Sequence, residues 1–193
     1  MTLMNADSIN NSDDKILYLN SKSVQGVYEW IEAAVFSLLC VSLIFTFVMR
    51  IVGVDGNSMK NTLYDSERLI ISRSFYTPKR GDIIIINRYT EEPLVKRIIA
   101  VGGDRLKIDD ETNQVILNGK VLHEDYILGV TWREGFPPEE QVIPQGTVFV
   151  MGDNRQNSAD SRMMEQVGYV DVEDIMGKAI FRFFPLSRAG GLY

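Results

Sequence analysis

The sequence predicts a mostly β domain preceded by one apolar helix that is long enough to cross a membrane. Residues 33–49 carry no charged side chain, and beyond them short runs rich in β-branched residues alternate with turn residues. Helical periodicity is almost absent after the apolar run. With 193 residues, 45% of them hydrophobic, the chain can bury one core and one membrane segment. We therefore divide it into a mobile polar tail (1–26), an anchor (27–53) and a β-rich domain (54–193).

The anchor is predicted from its length and from its flanks. Ile51 and Val52 extend the apolar run beyond Arg50, whose side chain can snorkel to the interface, and Tyr28 and Trp30 fit an aromatic belt. A buried core helix is the alternative, but it conflicts with the lack of a polar face. A cleaved signal peptide conflicts with the distance of the run from the N-terminus. We expect the segment to remain as a single-pass anchor.

The orientation of this anchor follows from few charges. Lys15 and Lys22 precede it and Arg50 follows it. Because acidic residues count little in the positive-inside rule, the two lysines weakly favour a cytoplasmic tail and an extracytoplasmic domain. The sequence alone leaves the orientation open.

Short strands are predicted along the rest of the chain. Asn118-Gly119 is a strong two-residue hairpin turn, and Pro78 with the Arg80-Gly81-Asp82 turn separates the first two strands. The predicted strands are Arg68–Ser72, Ile83–Ile86, Leu94–Val101, Arg105–Ile108, Val115–Leu117, 121–122, 148–151 and 178–184.

Composition excludes several classes of function. The net charge of −6 and pI near 4.9 argue against nucleic acid as a partner. The single cysteine, Cys40, excludes an intramolecular disulfide, and with His123 it leaves too few ligands for structural zinc. Asp109, Glu111 and Asn113 alternate like calcium ligands, although a polar hairpin tip explains them better. We assign no metal and no cofactor.

Ser58 is a candidate nucleophile in a polar stretch shortly after the anchor. A serine hydroxyl is a poor nucleophile until a base takes its proton. The only histidine, His123, stands beside Glu124 and Asp125 and fits an ordinary loop residue, so a lysine is the base to look for. The alternative for this stretch is a polar loop that caps the membrane helix.

Lys96 is the candidate base. In a strand it shares one face with Leu94 and Ile98, while Arg97 points the other way. Burial on an apolar face lowers a lysine pKa toward the range in which the neutral amine accepts a proton. The alternative is a lysine on a solvated face.

A dense polar loop, residues 152–162, follows the strand at 148–151. Its Asp153 and Asp160 can form charge-assisted hydrogen bonds with Arg97 and Arg162, and its hydroxyls can orient a neutral amine. A solvated turn is the alternative reading of this composition.

These stretches resemble the sequence boxes of type I signal peptidases, membrane proteases that remove signal peptides from exported proteins. The resemblance extends from the anchor to the last predicted strand. It rests on Ser58-Met59, on Arg80-Gly81-Asp82, on residues 96–104 (KRIIAVGGD) and on residues 152–162 (GDNRQNSADSR). These stretches in this order and spacing are far more specific than Ser58-Met59 alone.

The resemblance implies a role for each site residue. Ser58 would attack the peptide carbonyl, and Lys96 would act as general base and later activate the water that releases the acyl-enzyme. Ser158 would hydrogen-bond the Lys96 amine, and Met59 would line the substrate cleft. The residues implied to support the site are Asp153, Asp160, Arg162 and Arg97.

The resemblance also implies the substrate and the surroundings of the enzyme. Shallow apolar pockets would select small residues in an Ala-x-Ala-like motif of a signal peptide. The catalytic domain, built of coiled antiparallel sheets, would face outside the cytoplasm. The bilayer is an expected partner, and the secretion machinery is a further candidate.

Two positions depart from the family pattern. Asn61 stands where relatives usually have proline, which we expect to loosen the backbone after Ser58. Gly56 stands where some relatives place a hydroxyl that donates to the oxyanion, so that the Ser58 N–H would have to serve. Loss of such a donor without replacement lowers the rate about 10²- to 10³-fold. Shorter Gram-positive members tolerate this glycine.

Two alternatives remain open at this point. One is a signal-peptidase-like assembly factor or chaperone for surface structures such as pili, which Asn61 keeps open although both Ser58 and Lys96 are present. The other is a self-cleaving repressor-type protease, which the anchor disfavours.

Overall fold

The computed structural model describes residues 24–43, 49–72, 76–87 and 93–192. The chain divides into two compact units, Met1–Phe47 and Val48–Tyr193. In the first unit, helix α1 (Val24–Leu43) has 20 residues and is long and apolar enough to cross a membrane. Most of the predicted tail lies outside the described residues. The prediction of one N-terminal apolar helix is confirmed.

The end of the predicted anchor requires a correction. Met49–Gly53 forms strand β1, which pairs antiparallel with β2 (Arg68–Ser72) over five residues. Val52 packs against the core while Ile51 is exposed, which is the alternation of a strand. This segment is therefore an extended strand paired with β2, so the helical span does not continue to Val52.

The second unit contains two antiparallel sheets. In the described residues, the larger has eight strands in the order β1-β2-β11-β3-β4-β9-β10, with β12 paired to β11, and the smaller has the order β7-β6-β5-β8. The remaining strands are β3 (Ile83–Ile86), β4 (Leu94–Val101), β5 (Arg105–Ile108), β6 (Val115–Leu117), β7 (Lys120–Val121), β8 (Gln141–Val142), β9 (Thr147–Met151), β10 (Val170–Asp171), β11 (Ile175–Phe184) and β12 (Gly190–Gly191). Two 3-10 helices, Val172–Asp174 and Leu186–Arg188, flank β11.

Strand prediction succeeds where β-branched runs end at turn residues. The strands β2 to β6 have the predicted bounds, and β9 and β11 begin one and three residues earlier than predicted. Asn118 and Gly119 have φ of 53° and 76°, the positive values that a type I′ hairpin requires. The strand after this turn begins at Lys120 instead of Val121.

The larger sheet is buried on both faces. Ile83 and Ile85 of β3 pack into one core cluster, whereas Ile84 and Ile86 pack into another on the opposite face. A third cluster joins the smaller sheet to β4 and β9 around Phe149. Burial on both faces explains the uninterrupted isoleucine run of β3.

The larger sheet also curls. Three strands separate β1 from β4, which in a flat sheet would hold them about 19 Å apart. Nevertheless Val52 of β1 and Pro93, just before β4, line the same cavity of about 590 Å³. Irregular registers in β11, next to Phe181 and Phe184, accompany this bending. The curl brings the end of β1 toward β4.

Candidate active site

Ser58 lies in a loop between β1 and β2, residues 54–67, called the serine loop below. Its base is closed by hydrogen bonds from the Val54 N–H to the Glu67 carbonyl (2.8 Å) and from the Ser66 N–H to the Val54 carbonyl (2.9 Å). Inside the loop, Leu63 donates its N–H to the Met59 carbonyl at 2.8 Å. Ser58 therefore precedes a tight, internally bonded turn.

Lys96 is buried in the middle of β4. Its side chain is 2% exposed, which rules out the solvated face. The Nζ donates to Ser58 Oγ at 2.8 Å and to the Val95 carbonyl at 3.1 Å. Serine hydroxyl and lysine amine are thus in direct contact, although they lie 38 residues apart in the sequence.

Burial adjusts the proton affinity of this amine. Desolvation lowers the pKa of Lys96 from 10.5 to about 8, and the carboxylates of Asp160 and Asp153 oppose that shift. A substantial neutral fraction is therefore present at mildly alkaline pH. A neutral amine at this distance can accept the proton of the Ser58 hydroxyl.

Asp153 forms one of the two ion pairs expected from the sequence. Arg97 donates to it through Nε at 2.8 Å and Nη2 at 2.7 Å, and both side chains are buried. The Thr62 hydroxyl also donates to Asp153, and Arg97 Nη1 donates to the Gly81 carbonyl at 2.8 Å. This network joins the serine loop to β4 and to the turn before β3.

Asp160 forms the second pair, with Arg162. The guanidinium donates to it at 2.8 and 2.9 Å, and neither side chain is exposed. Asp160 also accepts the Gly152 N–H at 3.0 Å, and Arg162 donates to the Arg155 carbonyl at 2.8 Å. The polar loop is consequently a buried, internally bonded structure rather than a solvated turn.

Asn154 is a supporting residue that sequence reasoning missed. Its N–H donates to the Ser58 carbonyl at 2.9 Å, and its side chain donates to the Asn57 carbonyl at 3.0 Å. Thr62 was missed as well. Their only sequence signal was their place in the polar stretches around Ser58 and at residues 152–162, which does not distinguish them from their neighbours.

The Ser158 hydroxyl has no hydrogen-bond partner among the described residues. The hydrogen bond to Lys96 that the resemblance implies is not formed in this structure, where the amine donates to Ser58 Oγ and to the Val95 carbonyl. Ser158 is 8% exposed. It packs against Gly152, where an added Cβ would collide with Ser158 Oγ and with the Ser58 carbonyl.

Met59 also differs from the expectation. It is 1% exposed and packs in the core cluster with Leu63, Ile83 and Val95. The turn after Ser58 directs this apolar side chain inward, where burial is favourable. Met59 therefore does not line an open cleft in this structure.

The two departures from the family pattern have distinct backbone consequences. Gly56 has φ of 79° and donates its N–H to Asp65 at 2.8 Å, a bond that lowers the pKa of Asp65. Asn61 has φ of 94°, which proline cannot adopt, and its side chain donates to the Tyr126 carbonyl at 3.2 Å. The loop therefore follows a path closed to proline at residue 61, and is not simply loosened there.

A cavity of about 590 Å³ lies beside the serine loop. Residues 51–55, Asp65, Ser66 and Pro93 line it. Strand β1 pairs only with β2 among the described strands, so its other edge can accept an extended peptide. In the described ranges, no group of His, Cys, Asp or Glu side chains is arranged to hold a metal ion.

A curled β-sheet that brings a serine onto a buried lysine is typical of serine endopeptidases with a Ser/Lys pair. The sequence matches the family described as signal peptidase, peptidase S26, over residues 27–184. The chain belongs to this family.

The similar proteins given below are all named signal peptidase I or IB. The signal peptidase I P of Bacillus subtilis subsp. natto is 37% identical, with 84% of this chain and 91% of that protein covered. Signal peptidase IB of Staphylococcus aureus is 30% identical, with 84% and 92% covered. A crystal structure of a signal peptidase I from Enterococcus faecalis is 27% identical, covers 54% of this chain and 98% of that one, and has a TM-score of 0.44.

The family resemblance inferred from the sequence is thereby confirmed, and the chain is a serine endopeptidase of the type I signal peptidase family. The non-catalytic assembly factor is not favoured.

Proposed function

We propose that this type I signal peptidase removes signal peptides from exported preproteins with Ser58 as nucleophile and Lys96 as general base. One observation carries the proposal. A lysine that is 2% exposed, with a pKa lowered to about 8, lies 2.8 Å from a serine hydroxyl. Burial supplies the neutral amine, and contact supplies the route for the proton.

The reaction begins when Ser58 Oγ attacks the scissile carbonyl while neutral Lys96 takes its proton. The lysine then donates a proton to the leaving amine as the tetrahedral intermediate collapses to an acyl-enzyme. Lys96, neutral again, deprotonates a water, whose attack releases the cleaved signal peptide and regenerates the Ser58 hydroxyl. Among the described residues the Ser58 N–H has no acceptor, which supports its role as a donor to the oxyanion.

The surrounding ion pairs serve this chemistry in two ways. Arg97 and Arg162 neutralise Asp153 and Asp160, which limits how far those carboxylates raise the pKa of Lys96. The Arg97–Asp153 pair, through Thr62, also holds the serine loop against β4, and Asn154 holds it against the polar loop. In the substrate complex, we assign the unpartnered Ser158 hydroxyl to the Lys96 amine.

The substrate would bind as an extended strand along the free edge of β1. Its Ala-x-Ala-like motif presents small side chains to the walls of the cavity beside the serine loop. Anchoring by α1 in the same bilayer as the signal peptide raises the effective concentration of both. The bilayer is the partner that this arrangement implies, and the secretion machinery is a further candidate.

We assign the N-terminal tail to the cytoplasm and the peptidase unit to the extracytoplasmic side, as Lys15 and Lys22 favour. We assign the tail to the residues before α1, which begins at Val24, and the peptidase domain to the residues from β1 at Met49 onward. Protease treatment of intact spheroplasts tests this orientation. The unit must be degraded from outside, and a protected unit contradicts the assignment.

The catalytic assignment is tested by cleavage of a membrane-embedded preprotein bearing an Ala-x-Ala site. Ser58→Ala and Lys96→Ala must abolish cleavage while the domain remains folded by circular dichroism. Lys107→Ala, an exposed lysine of the smaller sheet, is the matched control and must retain activity. Cleavage by either of the first two variants contradicts the assignment.

A further inference from the structure

The last described residues fold back along β11. After Phe184, residues 185–192 form a short 3-10 helix and strand β12, called the C-terminal hook below. Gly190 pairs with Arg182, and the Leu192 N–H donates to the Ile180 carbonyl at 3.1 Å. Arg182 Nε closes the hook by donating to the Arg188 carbonyl at 2.7 Å.

Two arginines of this region converge on one buried carboxylate of the serine loop. Glu67 is 2% exposed. Arg188 donates to its Oε1 at 2.7 Å and Arg182 to its Oε2 at 3.3 Å. The Arg188 guanidinium also lies 4.2 Å over the ring of Tyr64. The hook is thus joined to the far end of the loop that carries Ser58.

The same arginines hold the backbone of Thr62. Its carbonyl accepts from Arg182 Nη1 at 3.0 Å and from Arg188 Nη2 at 3.4 Å. On its other side, the Thr62 hydroxyl donates to Asp153. Thr62 is therefore held from two directions, by the hook and by the Arg97–Asp153 pair.

The position of Thr62 is transmitted to Ser58 through one turn of backbone. The N–H groups of Thr62 and Leu63 donate to the Met59 carbonyl at 3.1 and 2.8 Å. Met59 follows Ser58 directly, and its side chain is locked in the core. A shift of the Thr62 peptide must therefore move Ser58 relative to Lys96.

We propose that Glu67, Arg182 and Arg188 are positioning residues, through which the C-terminal hook holds Ser58 within reach of Lys96. The inference rests on the proposed roles of Ser58 and Lys96. None of the three touches the Lys96 amine. Two guanidinium groups that face one mostly buried carboxylate contribute little net stability. They do fix the position of the serine loop, and a displacement of about 1 Å can lower the rate about 100-fold.

The test compares Arg188→Ala, Arg188→Lys and Glu67→Gln in preprotein cleavage by the full chain in detergent. We expect kcat to fall about 10- to 100-fold in Arg188→Ala with KM within about threefold of wild type. Arg188→Lys should recover part of the lost kcat. Lysine keeps the positive charge opposite Glu67 but lacks the second guanidinium nitrogen that donates to the Thr62 carbonyl. The apparent pKa of the reaction should stay near 8, since Lys96 remains buried.

Arg133→Ala is the matched control, because Arg133 also joins a carboxylate, Asp110, to a backbone carbonyl, that of Phe136, near the smaller sheet. It should leave kcat within about twofold of wild type. The double variant Glu67→Gln/Arg188→Ala should have a kcat at most about threefold below that of Arg188→Ala. The two effects should not multiply, because both substitutions disrupt the same set of contacts.

Rates are measured at a temperature at which circular dichroism shows every variant to be folded. A kcat of Arg188→Ala within about twofold of wild type, or a loss that vanishes on cooling, overturns the inference. If Arg188→Ala does not fold, the near-isosteric Glu67→Gln carries the same test. Ser58→Ala and Lys96→Ala are assayed in parallel. Cleavage by either of them contradicts the proposed catalytic roles rather than the positioning role of the hook.

Discussion

The pH dependence of cleavage follows from the burial of Lys96. Burial lowers the pKa of Lys96 from 10.5 to about 8, and only the neutral amine can take the Ser58 proton. With that pKa, about half of the enzyme is active at pH 8 and about 1% at pH 6. We therefore expect kcat/KM to rise about 50-fold between these values and to level off above about pH 9.

The assay is preprotein cleavage at substrate concentrations below KM, from about pH 6 to about pH 10, with circular dichroism as the check on folding. Because Asp160 raises the pKa of Lys96, Asp160→Asn should move the midpoint to lower pH. A rate that still rises about tenfold between about pH 8 and about pH 9 would refute the reasoning, since an exposed lysine with a pKa of about 10.4 behaves in that way. A midpoint that moves upward in Asp160→Asn would refute it equally.

Four further predictions concern the same region. Lys96→Met should abolish cleavage and raise the free energy of unfolding at pH 7 by up to about 3 kcal/mol in urea titrations, because the folded state loses a buried cation. For the same reason, wild-type stability should rise from about pH 8 to about pH 10.5, where the unfolded chain binds more protons. Asn61→Pro should lower the free energy of unfolding by about 3 kcal/mol or more, because φ at Asn61 is 94° and proline is held near −65°. Asn61→Gly should keep its activity, because glycine adopts positive φ readily. Gly152→Ala should lower kcat at least about 100-fold, because its Cβ would collide with the Ser58 carbonyl.

Each of the three variants Lys96→Met, Asn61→Pro and Gly152→Ala has a contradicting outcome. A less stable Lys96→Met would mean that burial does not penalise the charged amine. Full activity and stability of Asn61→Pro would mean that the serine loop takes another path at residue 61. A wild-type kcat in Gly152→Ala would mean that Ser58 does not depend on the close approach of Gly152.

Strand prediction succeeded and failed for identifiable reasons. Runs such as Ile83–Ile86 end at turn residues, so their bounds follow from local sequence. The strands β8, β10 and β12 have two residues each, which is too short for any periodicity. Strand β1 follows the apolar run directly and only Arg50 interrupts it, so hydropathy, with Arg50 expected to snorkel, assigned Met49–Gly53 to the anchor.

The contacts of the site also divide into those that the sequence predicted and those that it could not predict. Ser58, Lys96 and the two Asp–Arg pairs followed from residue types and from the order of the boxes. Neither the hydrogen bonds of Asn154 nor the convergence of Arg182 and Arg188 on Glu67 could be predicted. Those partners lie between about 95 and about 120 positions apart, as the bonds from Asn154 to Asn57 and from Arg188 to Glu67 show, and sequence pattern reports only near neighbours.

The sequence by itself determined the β-rich class, the apolar helix, the family and the serine and lysine that carry the proposed chemistry. These properties depend on residue type, local periodicity and motif order, all of which are readable along the chain. Only the tertiary structure decided that Lys96 is buried against Ser58, that Ser158 lacks a partner and that Met59 belongs to the core. Burial and contact between distant segments depend on how the large sheet curls, and that curl arises from packing across strands instead of from any one of them.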